Sequence, residues 1–498
     1  GAMFQYPNTY GNINYYQELI KELNKNNTIV SCSTDPLSLM VLKSPGELGV
    51  DIAFGSCQRF GIPLWNGGPH PAFIACKSKF LRQMPGRIVG KSIDKYNRNS
   101  YRVSIQTREQ HIKKDKATSN ICTSQALLAN VASMYGIYHG SKSLTDSANR
   151  IHNLANILEK NLELLNIKNL NNKYFDSLHL NTKYASNIYN LLMSKNILTR
   201  LVNKNNLVIA LNETTSINDI EDILSHIHRF KINSKTFELS INNIPKKLEF
   251  DTNIKINDRK NPALQEEIFS KFNTETQLER YIIQLGEKDY NLTTGMIPLG
   301  SCTMKLNSNE QIDSLNWDKL KNIHPYGINQ IGYQEMIESL ENYLCKITGL
   351  SKCSFQSNSG AMGENTALLC MKKYLYDNNK NLNVCLIPVS AHGTNFSSAI
   401  LSGFKIIKFK DEISIEEFKK LVEENGVGVM MVTYPSTYGI FESNIKEFCD
   451  IIHDNGGLVY MDGANMNAQI GITNPAKIGA DACHLNLHKT FCIPHGGG

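Results

Sequence analysis

The sequence predicts an α/β chain of two tandem homologous lobes with mostly parallel sheets, both end domains incomplete. An internal repeat, a regular alternation of apolar runs with amphipathic stretches, and an acid–lysine pair framed by small-residue loops carry that prediction.

The repeat comes first. Tyr6-Pro-Asn-Thr-Tyr-Gly11 recurs as Tyr434-Pro-Ser-Thr-Tyr-Gly439, and a helical stretch follows each copy, Ile13–Leu23 and Ile445–His453. An apolar run ending in aspartate comes next, Asp35 in one copy and Asp462 in the other. Gly49-Val-Asp51 then matches Gly479-Ala-Asp481, Phe60-Gly-Ile-Pro63 matches Phe491-Cys-Ile-Pro494, and both copies enter glycines, Gly67-Gly68 and Gly496–Gly498. Aligned on Phe-x-Ile-Pro, Gln58 stands where the second copy has Lys489, with Arg59 following. The chain opens inside one domain and closes inside its equivalent, which reads as an internal fragment of a longer two-lobed polypeptide. Glutamine cannot form an imine, so the first copy reads as degenerate.

The alternation gives the architecture. In the second lobe the strand candidates are Val384–Val389, Lys405–Phe409, Val427–Thr433, Leu458–Met461 and Ala482–Leu485. Helix candidates lie between them at Ser397–Ser402, Ile415–Glu424 and Ile445–His453. Unbroken apolar strands alternating with amphipathic helices predict a parallel sheet covered on both faces, with ligands bound beyond the carboxyl ends of the strands. Residues 1–75 read as the C-terminal part of the first lobe's large domain and 76–230 as its small α+β domain with connecting segments, including helices at Ala148–Leu165 and Ile217–Phe230. Residues 231–277, polar and carrying prolines, read as the interlobe linker, and 278–498 as the second lobe's large domain, truncated at its C-terminus.

Composition excludes some classes. A net charge of +6 over 498 residues is small, and lysine is scattered through Asn-rich segments without a basic stripe, so no nucleic acid is expected as partner. No apolar run approaches the roughly 20 residues of a membrane span. The 12 cysteines form no CxxC pair and read as reduced thiols of an intracellular compartment.

The chemistry lies at the strand ends. Asp462 closes Leu458–Met461, and Lys489 lies 27 residues further on, flanked by Leu485, Leu487, Phe491 and Ile493. An acid ending a buried strand, followed by a lysine in a turn, suits pyridoxal phosphate (PLP). The amine forms a Schiff base and the carboxylate keeps the pyridine nitrogen protonated. Ser357-Asn-Ser-Gly-Ala-Met-Gly-Glu364 precedes an amphipathic helix, either as a phosphate cradle at a helix start or as an ordinary Ser/Gly cap. His392, in Ser390-Ala-His-Gly-Thr-Asn395, either stacks on a cofactor ring or is satisfied by hydrogen bonds near the core. His484 and His488 have the i, i+4 spacing of a zinc pair on a helix, but His484 falls on a strand candidate and no third ligand is evident, so no metal is expected.

These motifs together resemble the P-protein (glycine decarboxylase) family of the glycine cleavage system, across essentially the whole chain. The resemblance includes Gln106–Ile112, Lys116–Thr123, Ile297–Leu306, Ser390–Asn395, Asp462–Ala468 and Asn486–Pro494. It implies PLP fold type I with the Schiff base on Lys489, Asp462 on the pyridinium and His392 stacked on the ring. It also implies Ser359, Gly360 and Ala361 on the phosphate, with Thr437, Ala464 and His488 near the cofactor. The implied reaction is decarboxylation of glycine and transfer of the aminomethyl group to the lipoyl arm of H-protein, by a homodimer of two-lobed chains. The implied location is the mitochondrial matrix in a eukaryote and the cytoplasm in a bacterium. Two other readings stay open: PLP chemistry on another amino acid, and a PLP-free scaffold. Thr107–His111 either form a network inside the first lobe or, near Ser301–Met304, line the path of the lipoyl arm.

Overall fold

The computed structural model describes residues 1–105, 110–117, 119–120, 126–233, 258–288, 290, 294–296, 308–328 and 330–492, the side chains of 110, 111 and 231–233 excepted. Thr107–Glu109 and Ser301–Met304 lie outside the described residues, as do the side chains of Gln110 and His111.

The chain divides into two compact units. One comprises Gly1–Ser78, Leu128–Ile297 and Lys321–Asn329; the other comprises Lys79–Leu127, Pro298–Leu320 and Gln330–Gly498. This division cuts across the expected 76–230 domain. Residues 79–127 group with the C-terminal half because their described part bonds there: Asn120 Nδ2 donates to the Ala361 carbonyl (2.7 Å), and Ser397 Oγ donates to the Lys114 carbonyl (3.0 Å).

In the first unit, strands Ala2–Tyr6, Val30–Thr34 and Ile52–Ser56 run parallel, and Ala72–Cys76 adds an antiparallel edge. Residues 168–210 form a second, antiparallel sheet of four strands. Helices Ala126–Leu164 and Ile217–Asn233 accompany it, and one core joins Tyr6 and Val30 to Ile151, Leu158 and Leu207. The expected helix Ala148–Leu165 is thus the end of a longer one, broken at Gly140 (φ 65°, ψ 178°). A Cβ there would meet the Phe269 carbonyl oxygen at 2.2 Å, so only glycine fits. The composition-based linker 231–277 is not wholly irregular: helix Ile268–Lys271 lies within it and helix Glu275–Gly286 starts inside its end.

The second unit holds a five-stranded parallel sheet in the order Lys405–Phe409, Val384–Pro388, Val427–Thr433, Leu458–Asp462, Ala482–His484. Successive residues feed opposite cores: Leu386, Met430, Val459 and Met461 pack on one face, and Cys385, Ile387, Val429, Met431 and Tyr460 on the other. That explains the unbroken apolar runs, because both faces are covered. The chain leaves Val384–Pro388 for one neighbour and later returns to pair on its other side, which creates a topological switch point at that edge.

The two parallel sheets repeat the same local construction. Asp51 accepts from the Val30 amide (3.0 Å) and Asp481 from the Val459 amide (2.7 Å). The glycines two residues earlier, Gly49 (φ 90°) and Gly479 (φ 100°), both take the left-handed conformation. This shared register corrects the aspartate match drawn from sequence. Three residues beyond Val459 is Asp462; three beyond Val30 is Ser33, not Asp35. Counting eight residues on from Asp51 and Asp481 brings Arg59 level with Lys489, whereas the Phe-x-Ile-Pro alignment brings Gln58 level with it; neither supplies the amine of a lysine.

Candidate functional site

The site is built at the carboxyl edge of the five-stranded sheet. Asp462 is the last residue of its strand and pairs in register with His484 on the next. Alternation puts Tyr460 on the same side as both. Asp462 is 7% exposed and held on both oxygens: Oδ1 accepts from the Ala464 amide (3.0 Å), Oδ2 accepts from Asn395 Nδ2 (3.1 Å), and His484 Nε2 lies 3.5 Å from Oδ1. Burial alone would raise its pKa. His484, the Ala464 amide, Asn395 and His392 outweigh that and hold the carboxyl below the usual range, so it is an anion at neutral pH.

The other candidates arrive from three short elements. Ser359 caps helix Gly360–Asp377, accepting from the Met362 amide (3.2 Å), and Ala361 follows. A Cβ on Gly360 would meet Asn486 Oδ1 at 2.3 Å, so this helix start requires a residue without a side chain. Asn486 is buried and opens the turn that carries Lys489, whose amide donates to the Asn486 carbonyl (2.9 Å). His488 and Lys489 lie on helix Leu487–Thr490, while His484 is on a strand, so the helical zinc pair does not form.

His392 caps helix Gly393–Leu401, its Nδ1 accepting from the Thr394 amide (3.2 Å), which is why this helix starts four residues before the expected Ser397. This cap bond at Nδ1 leaves the face of the ring open, so it is compatible with both alternatives for His392. The same ring and the Lys489 amine depress His484, after burial, and Lys489 counters the rise at Glu364. Lys489, His392, Asp462, His484 and Glu364 thus share one electrostatic environment. Thr437 stands apart: it is exposed, and its hydroxyl donates to the Ser390 carbonyl (2.6 Å).

Sequence reading missed Glu364, Tyr460 and Asn395 as members of this group. Asn395 and Glu364 stood inside quoted motifs. Only the pairing of Asp462 with His484 and the packing of two helices over that edge bring them together. The ligand atoms of Glu364, Asp462 and His484 lie within 4.8 Å of one another, a convergence the His484–His488 spacing did not signal.

Fold and site together define an α/β chain whose buried acid, capping histidine and lysine stand at the carboxyl edge of a parallel sheet. The sequence profile described as "Glycine cleavage system P-protein" matches residues 1–227. The mitochondrial glycine dehydrogenase (decarboxylating) of Pisum sativum is 46% identical over 508 residues, covering 100% of this chain and 48% of that protein. The Dictyostelium discoideum protein of the same description is 45% identical over 513 residues, covering 100% and 51%. The chain is similar along its whole length to these P-protein relatives and spans about half the length of the curated relatives it matches. A crystal structure of glycine decarboxylase (P-protein) in inhibitor-bound form is 30% identical, covers 46% of this chain and 55% of that one, and superposes with a TM-score of 0.41.

Proposed function

We propose that this chain carries the cofactor-bearing part of a PLP-dependent glycine decarboxylase of fold type I that passes the aminomethyl group to the lipoyl arm of H-protein. The observation that carries the reading is the buried Asp462 at its strand end, bonded to Asn395 of the helix that His392 caps, with the Asn486–Lys489 turn packed on the helix start at Gly360.

The residues present fit the cofactor. Asp462 is a buried anion whose oxygens keep acceptor capacity beyond the donors of Ala464 and Asn395. Helix Gly360–Asp377 presents Ser359, Gly360 and Ala361 at its N-terminus, where backbone amides and the helix dipole favour a phosphate. In the proposed roles Lys489 would hold the cofactor through its amine, Asp462 would keep its ring nitrogen protonated, and His392 would lie against the ring. Ala464 orients Asp462, and His488 and Thr437 border the site. When bound, PLP supplies the electron sink for the charge left on the glycine α-carbon as carbon dioxide departs. Asn395 and Ala464 fix the carboxylate before substrate arrives, so its field needs no rearrangement during the reaction.

The first lobe takes no cofactor in this reading. Ser33 stands at the position of Asp462 and Gln58 or Arg59 at that of Lys489, and none of them can do their work. The whole protein is proposed as a homodimer of two-lobed chains, with residues 278–498 as the cofactor-bearing large domain. The proposed location is the mitochondrial matrix in a eukaryote, in line with the names of the Pisum sativum and Dictyostelium discoideum relatives, and the cytoplasm in a bacterium.

The test is exchange of the glycine carboxyl with labelled bicarbonate on the full-length protein, with and without lipoylated H-protein. Exchange that rises with H-protein is expected. Turnover of a different amino acid would replace the substrate, and absence of bound PLP would leave a scaffold.

A further inference from the structure

One side chain at this edge has no role in that scheme. Glu364, in the second turn of helix Gly360–Asp377, is 3% exposed. An isolated carboxylate so placed is expensive unless it is paired or neutralised. Helix Gly393–Leu401 brings Ser398, whose Oγ donates to Glu364 Oε2 (3.0 Å), together with Asn395 and the capping His392. Strand Leu458–Asp462 brings Tyr460 and Asp462, strand Ala482–His484 brings His484, and helix Leu487–Thr490 brings Lys489. His484 Nε2 lies 4.0 Å from Glu364 Oε1 and 3.5 Å from Asp462 Oδ1. Its Nδ1 lies 2.6 Å from the Tyr460 hydroxyl. With the phenol donating, the ring proton is assigned to Nε2, so a single N–H faces two carboxyls.

We propose that Glu364 is a positioning residue for Asp462: seated between Ser398 and His484, it closes the far side of the imidazole and holds ring and acid in one arrangement. This rests on the reading of Asp462 as the acid that faces PLP. Two carboxyls this close, both buried, do not both ionise. Burial and then the charge of Asp462 push Glu364 well above the usual carboxyl range, against the pull of Asn395, Ser398 and Lys489. Asp462 is held below its usual range. The proton resides on Glu364 and the negative charge on Asp462, where the ring nitrogen needs it. Glu364 touches neither cofactor nor substrate; it acts through His484 and Asp462.

The experiment uses the full-length protein and three variants: Glu364→Gln, of the same shape and uncharged; Glu364→Leu, of similar bulk and apolar; and Asp462→Asn as reference. Infrared difference spectra of the apoprotein at neutral pH should show a protonated-carboxyl C=O band that Glu364→Gln removes and Asp462→Asn retains. Glu364→Gln should bind PLP within about threefold of wild type, and Glu364→Leu about tenfold more weakly, roughly 1.4 kcal/mol. Borohydride labelling separates the two ideas. No label on Lys489 overturns the cofactor reading and this proposal with it. A label on Lys489 without a band assignable to Glu364 overturns this proposal alone, as does unchanged PLP affinity in Glu364→Leu. Should the leucine variant not fold, the infrared band and the affinity of Glu364→Gln decide. A stoichiometric divalent metal whose removal by chelator weakens PLP binding would also overturn it, since the three ligand atoms are close enough to share a cation.

Discussion

Three residues beyond Val459 the second copy of the repeat carries Asp462, and three beyond Val30 the first carries Ser33; eight beyond Asp481 stands Lys489, and eight beyond Asp51 stands Arg59. Both copies keep the hydrogen bond that sets their register, at 2.7 and 3.0 Å. Around those points the chemistry diverges. The second copy surrounds a buried anion with donors. The first surrounds a guanidinium with carboxylates: Arg59 Nη1 meets Asp35 (2.8 Å) and Asp176 (2.7 Å), and Nε meets Glu213 (3.2 Å). Asp35 belongs to the parallel sheet's edge, and Asp176 and Glu213 border the antiparallel sheet, so the arginine ties the two sheets of its unit together. The edge proposed as catalytic in the second copy is a structural joint in the first, while both keep the scaffold hydrogen bond. Backbone register is a requirement of folding in both copies, and the end-of-strand side chains are free to change.

The largest expected effect tests the lysine itself. Lys489→Ala should abolish glycine exchange and the borohydride label, while label on any other lysine breaks the proposed equivalence. Next, Asp462→Asn should keep PLP bound yet lower turnover by about a hundredfold or more, because a neutral amide cannot hold the ring proton. Near wild-type turnover would remove the asymmetry between the copies.

On the other side of the comparison, Arg59→Ala leaves three carboxylates without their cation. The arginine side chain is 18% exposed, so a loss of about 2–3 kcal/mol is expected, between the exposed and buried limits. Urea midpoints would measure it. Arg59→Lys should not create a second cofactor site, since Ser33 supplies no acid; two PLP per two-lobed chain would contradict the register.

A pH test sharpens the contrast at the catalytic edge. Glu364 keeps in the folded state a proton that the unfolded chain releases near its ordinary value of 4.5. Its contribution to stability is full below that pH and declines as pH rises toward its folded pKa. Glu364→Gln should flatten that decline, and an unchanged stability–pH curve would mean Glu364 is ionised in the fold. The smallest effect concerns the shared bond: Asp51→Ala and Asp481→Ala should each cost about 1–2 kcal/mol, and unequal losses would show that the copies lean on it differently.

Much of this was legible beforehand. The strand Val427–Thr433 was readable to the residue because most of it is buried and its apolar run is nearly continuous, and the edge strand Lys405–Phe409 because its apolar residues are bounded by Gly403 and Asp411. The helix at Ala148–Leu165 was visible but its start was not, since the break at Gly140 depends on the approach of Phe269. Glu364 was quoted in a motif without a role, because its partners come from two strands and two other helices.

By itself the sequence determined the repeat, the alternation that makes a parallel sheet, and the residue types at each strand end. Those are local properties: periodicity, propensity and spacing along the chain. Only the tertiary structure decided that Ser33 rather than Asp35 corresponds to Asp462, and that one imidazole stands between two carboxyls. Register and burial are set by hydrogen bonds and packing between segments distant in sequence. A shift in strand register between the copies, invisible in a motif match, therefore changes which side chain stands at the strand end.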